Sequence, residues 1–526
     1  MHEQHVGRFR RLTAAVLALS AIVLVGATAG SGGIGEVEMT RYNVVLAGTA
    51  TEDGFALAGS REAALGLVAL AGGTVALDLS NQIGVISVNS PNALFADLLR
   101  ASPLVEEVGR DFGWKAFMSR EELAATGATP LSHPGDGGGG PEQTMDPLES
   151  QQWSMMNIQA PAAHNQQSGW RAVDVGILDS GIDGLHLDFD DDALPGGTTN
   201  VDCTRGMDFV AAGPGIGTPI NCMDNGFHGT HVAGIVGAQA NNHGVVGVAP
   251  NVTLIPVKVC DTPGYCYASS SAAAITYAGI QKFDVINMSY FVDDDQLLGS
   301  TEFKCMDNPS QRTFRRMNER AIQFARSQGV VPVAALGNSD QDLADPQGVD
   351  PVTGKPYTNR CEVVPAESAG VIGTMALGRN NQKASYSSYG VGATDVAAPG
   401  GAGTTGDCTT TVLSTFPANT WFCIQGTSMA SPHSTGVAAL IVSEYGDLVP
   451  DSNDPSTPLD DTAPPFDVKL SPTTVEAYLQ GTAIDQGLSG YDECFGHGRI
   501  NALRAVNHDT SKVFDPAAPF CPEYAQ

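Results

Sequence analysis

The chain is poor in charge, in aromatic residues and in basic side chains, and its first 202 residues contain no cysteine. Only 16% of its 526 residues are charged and 7% are aromatic, whereas 42% are hydrophobic, which excludes disorder for most of the chain and allows more than one domain. Lysine and arginine number 27 against 57 acidic residues, giving a net charge of -30 that argues against nucleic-acid binding. We expect a solvated acidic surface rather than an acidic partner-binding surface.

No apolar run reaches the about 20 residues that a transmembrane helix needs. The run at residues 12–26 follows arginines at positions 8, 10 and 11 and precedes a small-x-small string that ends at Ala29. This order predicts a secretory signal peptide over residues 1–29, cleaved after Ala29, with a membrane anchor as the alternative. The arginine pair leaves a twin-arginine export route open. The mature protein is expected to be secreted, extracellular and not bound to a membrane.

The ten cysteines include no C-x-x-C spacing, so a zinc site of the usual form is not expected. An even number of cysteines in an exported chain predicts disulfides. The sequence permits roughly 945 pairings. Short loops favour the pairing of neighbours: Cys203 with Cys222, Cys260 with Cys266, Cys305 with Cys361, Cys408 with Cys423, and Cys494 with Cys521.

The pattern of apolar runs divides the rest of the chain into four segments. Residues 30–130 alternate strand-like and helical runs, which predicts a small α+β domain. Residues 131–144 form a linker with four consecutive glycines. Apolar runs alternate with helical stretches over residues 145–510, which predicts an α/β domain with a mainly parallel sheet flanked by helices. Residues 511–526 form a C-terminal tail.

Three short strings in the α/β domain carry an acid, an imidazole and a hydroxyl. A buried-strand pattern at residues 172–178 ends at Asp179, the string H-G-T-H begins at His228, and G-T-S-M-A contains Ser428. An Asp that orients a His, which in turn activates a Ser, forms a nucleophilic triad. A D-S-G string alone is more often a structural turn. Taken together, the three strings predict that Ser428 attacks a carbonyl, with His228 as general base and then acid.

Two groups can stabilise the oxyanion that such an attack creates. The backbone amide of Ser428 lies in the first turn of a predicted helix, and the side-chain amide of Asn338 follows a buried run. A competing interpretation uses His228 and His231, which share a helical face, as a zinc pair. No glutamate follows His228 in the H-E-x-x-H manner of zinc peptidases. His231 is expected to be a core residue.

These strings resemble those of the subtilisin-like serine peptidases, the subtilase family, and the resemblance covers most of residues 145–510. It implies a three-layer catalytic domain and a secreted serine endopeptidase that works through an acyl-enzyme on Ser428. It further implies that Asn338 donates to the oxyanion. The region from Tyr42 to Val108 is similar to the family's inhibitory propeptide, a folding chaperone, which implies that residues 30–130 are a ferredoxin-like propeptide domain. The resemblance therefore implies a zymogen that cuts itself between about residues 118 and 150.

The resemblance also bears on metals and partners. Asp146, Asp188 and Asn242 match positions that hold a structural calcium in some relatives, whereas catalysis needs no cofactor. The expected partners are protein or peptide substrates and the chain's own propeptide, with the enzyme a monomer. Residues 289–292 read S-Y-F-V where relatives read S-L-G-G, so the resemblance does not define substrate preference.

The triad predicts that activity falls as His228 becomes protonated. Two other classes stay open. One is a catalytically silent relative that acts as a binding module, and the other is the zinc peptidase with His228 and His231. A serine-directed phosphonate separates both from a serine peptidase, because only an activated Ser428 reacts with it.

Overall fold

The computed structural model describes residues 39–51, 53–132, 146–190, 199–292, 308–344, 347–349, 356–358, 362–450 and 466–515. The chain divides into two compact units. The smaller comprises Met1–Phe112 with Met306–Met317, and the larger comprises Gly113–Cys305 with Asn318–Gln526. The predicted signal peptide, the four linker glycines and Cys305, Cys361 and Cys521 lie outside the described residues.

The smaller unit is built on a four-stranded antiparallel sheet with the strand order β4-β5-β1-β6. Helices follow its first and third strands, which gives the β-α-β-β-α-β order of a ferredoxin-like fold and confirms the predicted α+β class. Side chains such as Val44, Val88 and Phe95 are fully buried in its core. Its elements are β1 (Thr40–Leu46), β2 (Gly48–Thr51), β3 (Gly54–Leu57), α1 (Arg61–Leu70), β4 (Thr74–Leu79), α2 (Ser80–Ile83), β5 (Val85–Ser90), α3 (Phe95–Arg100) and β6 (Val105–Arg110).

The remaining elements follow in chain order, and only the first residues of α9 belong to the smaller unit. They are β7 (Gly113–Lys115), α4 (Arg120–Ala125), α5 (Trp153–Asn157), α6 (Ala160–His164), β8 (Asp174–Asp179), β9 (Met207–Asp208), β10 (Thr218–Pro219), α7 (His228–Gly237), β11 (Thr253–Lys258), β12 (Tyr265–Tyr267), α8 (Ala268–Gln281), β13 (Val285–Met288), α9 (Pro309–Ser327), β14 (Val331–Ala335), β15 (Gln347–Val349), β16 (Pro356–Thr358), β17 (Ile372–Leu377), β18 (Val396–Pro399), β19 (Val412–Phe416), β20 (Thr420–Ile424), α10 (Thr427–Tyr445), β21 (Asp447–Pro450), β22 (Phe466–Lys469), α11 (Pro472–Gly481) and α12 (Ala502–Val506).

An eight-stranded sheet forms the centre of the larger unit, in the order β10-β9-β11-β8-β13-β14-β17-β18. Every neighbouring pair is parallel except β10 with β9. Its central strands are continuous buried runs because helices cover them. Helix α10 packs on β13, β14, β17 and β18, and α8 packs on β8. The predicted fold class is therefore confirmed. Since parallel strands end at the same edge, the residues after β8, β13 and β14 gather there.

A buried amide fastens α10 to the sheet. The Asn287 side chain on β13 accepts hydrogen bonds from Ser431 Oγ at 2.8 Å and Thr435 Oγ1 at 2.9 Å. Its Nδ2 donates to Ser289 Oγ at 2.8 Å, and that hydroxyl donates to the backbone carbonyl of Ser428, also at 2.8 Å. All five residues are buried. The first turns of α10 are thus held against β13 by a continuous set of hydrogen bonds.

Disulfides join Cys203 to Cys222, Cys260 to Cys266 and Cys408 to Cys423, as the short loops predicted. Cys494 is also disulfide-bonded. None of the helices in the described part of the chain combines the length and the apolar character needed to cross a bilayer.

We expect Asn287→Ala to lower the free energy of unfolding by about 2 kcal/mol or more, because it leaves two buried hydroxyls of α10 without their acceptor. Urea denaturation in a Ser428→Ala background, which prevents self-digestion, measures the change. Asn507→Ala is the control, since Asn507 is exposed, and should change the free energy by less than about 0.5 kcal/mol. Equal effects of the two substitutions would contradict this account of α10.

Candidate active site

A buried pair of side chains lies at the carboxyl end of β8. Asp179 is the last residue of the strand, and its carboxylate oxygens lie 2.9 and 3.0 Å from His228 Nδ1. The backbone amide of Ser180 donates to the same carboxylate at 2.7 Å. Because an ionised carboxylate only accepts hydrogen bonds, Nδ1 carries the proton and Nε2 has a free lone pair. This arrangement leaves His228 able to take a proton through Nε2.

Two polar side chains hold His228 by capping its helix. His228 is the first residue of α7, where backbone amides have no partner within the helix. The Ser180 hydroxyl accepts from the amide of Gly229 at 3.0 Å, and Asp224 accepts from Thr230 N at 3.0 Å and Thr230 Oγ1 at 2.8 Å. Neither Ser180 nor Asp224 was identified as functional from the sequence. An acid four residues before His228 is the local signal that could have indicated the cap.

Ser428 is the second residue of α10, after Gly426 at the N-cap. Its Oγ donates to the backbone carbonyl of Ser289 at 3.1 Å, and the described contacts include no hydrogen bond between this hydroxyl and His228. Asn338 follows β14, and its Oδ1 accepts from Thr427 N and Thr427 Oγ1, both at 2.9 Å. With its oxygen held by Thr427, the Asn338 amide can donate through Nδ2. The structure therefore brings the nucleophile candidate and the oxyanion donor candidate to adjoining positions.

An extended segment of the chain occupies the space in front of His228. β7 pairs antiparallel with β12, with Trp114 opposite Cys266, and the Ala116 amide donates to Gly264 O at 2.9 Å. The Phe117 ring then stacks flat on the His228 ring, with centroids 4.1 Å apart and planes 2° apart. The sequence contains no local pattern that would indicate this segment. Residues 113–117 thus lie along an edge strand and end against the imidazole.

The chain beyond Phe117 remains in contact with the larger unit. α4 begins after Ser119, whose side chain forms a capping box with Glu122. Further on, Leu131 and Trp421 form an antiparallel bridge, with N to O distances of 2.7 and 3.1 Å. Residues 113–132 therefore contact both β12 and β20.

The predicted calcium residues are only partly gathered. One Asp188 oxygen accepts from Trp421 Nε1 at 2.6 Å and Val245 N at 2.9 Å, whereas its Oδ1 and the Oδ2 of Asp146 are buried without hydrogen-bond partners. Burial raises the pKa of Asp146 to about 8, assisted by the charge of Asp188, and burial raises the pKa of Asp188 to about 7. Asn242 is exposed, and its backbone amide donates to Asp146.

Two unpaired carboxylate oxygens fit a hard cation, which takes six to eight oxygen ligands in all. Within the described ranges, no group of three or more His, Cys, Asp or Glu side chains is placed to hold a metal.

His231, the second member of the zinc alternative, is buried with Nε2 3.1 Å from the carbonyl oxygen of Phe422. Burial lowers the pKa of His231 to about 3, so its ring is neutral.

Known proteins match this chain in sequence. A sequence model described as the subtilase family matches residues 171–498. An alkaline protease of Alkalihalobacillus alcalophilus is 35% identical over 293 residues, which are 56% of this chain and 60% of that protein. Subtilisin DY of Bacillus licheniformis is 35% identical over 343 residues, 65% of this chain and 94% of that protein. The chain thus spans less than two thirds of the alkaline protease.

A solved structure also shares the fold. The epidermin leader peptide processing serine protease of Staphylococcus aureus superposes with a TM-score of 0.61 at 18% identity, over 89% of this chain and 98% of that one. At this identity the likeness concerns the fold alone. The matched residues 171–498 include Asp179, His228, Asn338 and Ser428, and they make up more than half of the chain. By this match the chain belongs to the subtilase family.

Proposed function

We propose that the protein is a secreted serine endopeptidase, made as a self-inhibited precursor that cuts itself. The observation that carries the proposal is the extended segment of residues 113–117, paired with β12 and ending with Phe117 on the His228 ring. A peptide substrate needs the same extended backbone and the same approach to the imidazole. The segment therefore marks where a substrate binds and also keeps substrates out.

The reaction begins when Phe117 has left His228. The Ser428 hydroxyl turns from the Ser289 carbonyl to His228 Nε2 and gives up its proton as Oγ bonds to the scissile carbonyl carbon. The resulting imidazolium is stabilised by Asp179, whose carboxylate contacts Nδ1. The oxyanion receives hydrogen bonds from the backbone amide of Ser428 and from Nδ2 of Asn338.

The tetrahedral intermediate collapses when His228 returns the proton to the leaving amine, which breaks the peptide bond and leaves an ester on Ser428. A water molecule then gives a proton to His228 and attacks the ester, and the acid product departs as Ser428 recovers its proton. Asp179 keeps the imidazole in one tautomer throughout. No cofactor takes part in this chemistry.

Two features of the structure support an inactive precursor. Phe117 covers one face of the His228 ring, and the Ser428 hydroxyl donates to a backbone carbonyl in place of the imidazole.

Three disulfides in the larger unit are consistent with export to an oxidising compartment. The natural substrates are proteins or peptides, and the enzyme acts as a monomer, with residues 30–130 as its own inhibitor and the cut between about 118 and 150.

Self-processing tests the role of Ser428. The purified native chain should shed its N-terminal segment, whereas Ser428→Ala should remain full length, because the hydroxyl is the nucleophile. Intact mass and N-terminal sequencing measure both. Ser443→Ala is the matched control, since Ser443 lies on the same helix and donates only to the Ala439 carbonyl. Processing by purified Ser428→Ala would end the proposal.

Reaction with a serine-directed phosphonate tests the role of Phe117. Phe117→Ala should raise the labelling rate of Ser428 in the uncut precursor by about tenfold, because the substitution uncovers the imidazole. Glu121→Ala, on exposed α4, should label at the native rate. If the native precursor already labels as fast as the processed enzyme, Phe117 does not inhibit. A chain that is never labelled would favour the catalytically silent or the zinc alternative.

We also propose that Asp146 and Asp188 bind a structural calcium, as the resemblance implied, through their unpaired oxygens. A calcium concentration of 100 times Kd should stabilise the Ser428→Ala chain by about 2.7 kcal/mol over the chelated protein. Thermal unfolding with calcium and with EGTA measures this shift. Asp146→Asn should abolish it, whereas Asp202→Asn, an acid bonded to Thr204 and Arg205, should keep it. An equal shift in both variants would contradict the site.

A further inference from the structure

We propose that the hairpin of residues 260–266, closed by the Cys260–Cys266 disulfide and by Asp261, is a positioning device for extended peptides. In this proposal the hairpin holds β12 in the conformation that accepts a peptide backbone and ties it to Asp179. The proposal rests on the proposed endopeptidase function.

The 260–266 hairpin is closed by backbone hydrogen bonds and one covalent bond. Cys260 and Cys266 are fully buried, face each other as an antiparallel bridge and form a disulfide. Inside this closure, Asp261 N donates to Tyr265 O at 2.8 Å and Gly264 N donates to Asp261 O at 3.0 Å. The loop is therefore short and fully bonded at its base.

The side chain of Asp261 fixes both ends of β12. One oxygen accepts from the backbone amide of Tyr265 at 2.8 Å, and the other accepts from the phenol of Tyr267, also at 2.8 Å. Cys266 lies between these two residues and is held by the disulfide. Each of the three residues of β12 thus has its own restraint. Such restraints are needed because a two-stranded pairing of three residues is only marginally stable by itself.

The root of the 260–266 hairpin shares a backbone group with the triad. The amides of Val259 and Cys260 donate to the carbonyl oxygen of Asp179 at 2.8 and 3.2 Å. The carboxylate of the same residue holds His228. The root of the hairpin is therefore bonded to the residue that orients the imidazole. We expect opening of the hairpin to disorder β12 while the Asp179 carboxylate continues to hold His228.

Residues 114–117 show how an extended chain pairs with β12. Trp114 lies opposite Cys266 in the ladder, and Ala116 N donates to Gly264 O. Gly264 has φ +94°, and a Cβ there would lie 2.1 Å from the carbonyl oxygen of Phe117. Ladder bonds of this kind come from main-chain groups, so a substrate can form them whatever its side chains. A rigid edge lowers the entropic cost of forming them.

Steady-state kinetics of the processed enzyme test the hairpin. The Cys260→Ser/Cys266→Ser variant should raise KM for an extended tetrapeptide amide by about tenfold while kcat changes less than twofold, because ordering β12 now accompanies binding. An N-acyl amino acid ester that does not reach β12 should keep its KM within about twofold. Asp261→Ala should also raise KM for the tetrapeptide amide. Because this variant keeps the disulfide, it still tests the hairpin if the double cysteine variant folds poorly.

The matched control is Cys408→Ser/Cys423→Ser, which removes a disulfide outside the hairpin and should leave the KM ratio of the two substrates unchanged. Hydrogen exchange of the full-length Ser428→Ala chain gives a second readout. The Ala116 amide should exchange about tenfold faster when the hairpin is opened by either variant. Unchanged exchange and an unchanged KM ratio overturn the positioning role. If the native enzyme cleaves neither substrate, the proposed function fails, and the exchange result still decides the role of the hairpin.

Discussion

The burial of one carboxylate at the end of β8 is the constraint on which the rest of the site depends. A buried charge is tolerated only when hydrogen bonds replace its water, and Asp179 receives them from His228 and from the Ser180 amide. Its backbone carbonyl receives two more, from Val259 and Cys260. The same residue therefore orients the imidazole through its carboxylate and holds the root of the 260–266 hairpin through its backbone carbonyl.

The nucleophile side of the site is organised differently, because its backbone is fixed while its hydroxyl can rotate. Asn287 and Ser289 hold the first turns of α10 against β13, and Thr427 holds the oxygen of Asn338. The Ser428 hydroxyl donates to the Ser289 carbonyl, and in the proposed mechanism it turns from there to the imidazole. In that proposal the inhibited and active states differ by one side-chain torsion and by the departure of residues 113–117.

The parts of the molecule that could be predicted from the sequence are those with a local pattern. Asp179 ends a buried run, and His228 and Ser428 each lie in the first turn of a helix. Since parallel strands end at one edge, the fold class and the three strings followed from periodicity and order. Three disulfides followed from short loops. Asp224 was missed although it lies only four residues before His228, because the residue that usually caps a helix is the one directly before it, which here is Phe227.

The pairing of β7 with β12 could not be predicted from the sequence for a different reason. β7 and β12 are three residues long and lie about 150 positions apart, and their pairing uses main-chain groups that every sequence provides. The stacking of Phe117 on His228 depends on that pairing, so no spacing in the sequence could have indicated it. The exposure of Asn242 likewise reflects the backbone path of its loop, since its amide rather than its side chain faces Asp146.

Gly264 shows a consequence of the proposed use of one edge by both the inhibitory segment and the substrate. Its missing side chain lets the Phe117 carbonyl come close, and any residue with a β-carbon would displace residues 113–117. Such a replacement would therefore relieve the inhibition that we propose. In the same proposal substrates pair with β12 as well, so the replacement would also weaken substrate binding. A substitution of Gly264 would then release the enzyme from inhibition only at the cost of its affinity for substrates.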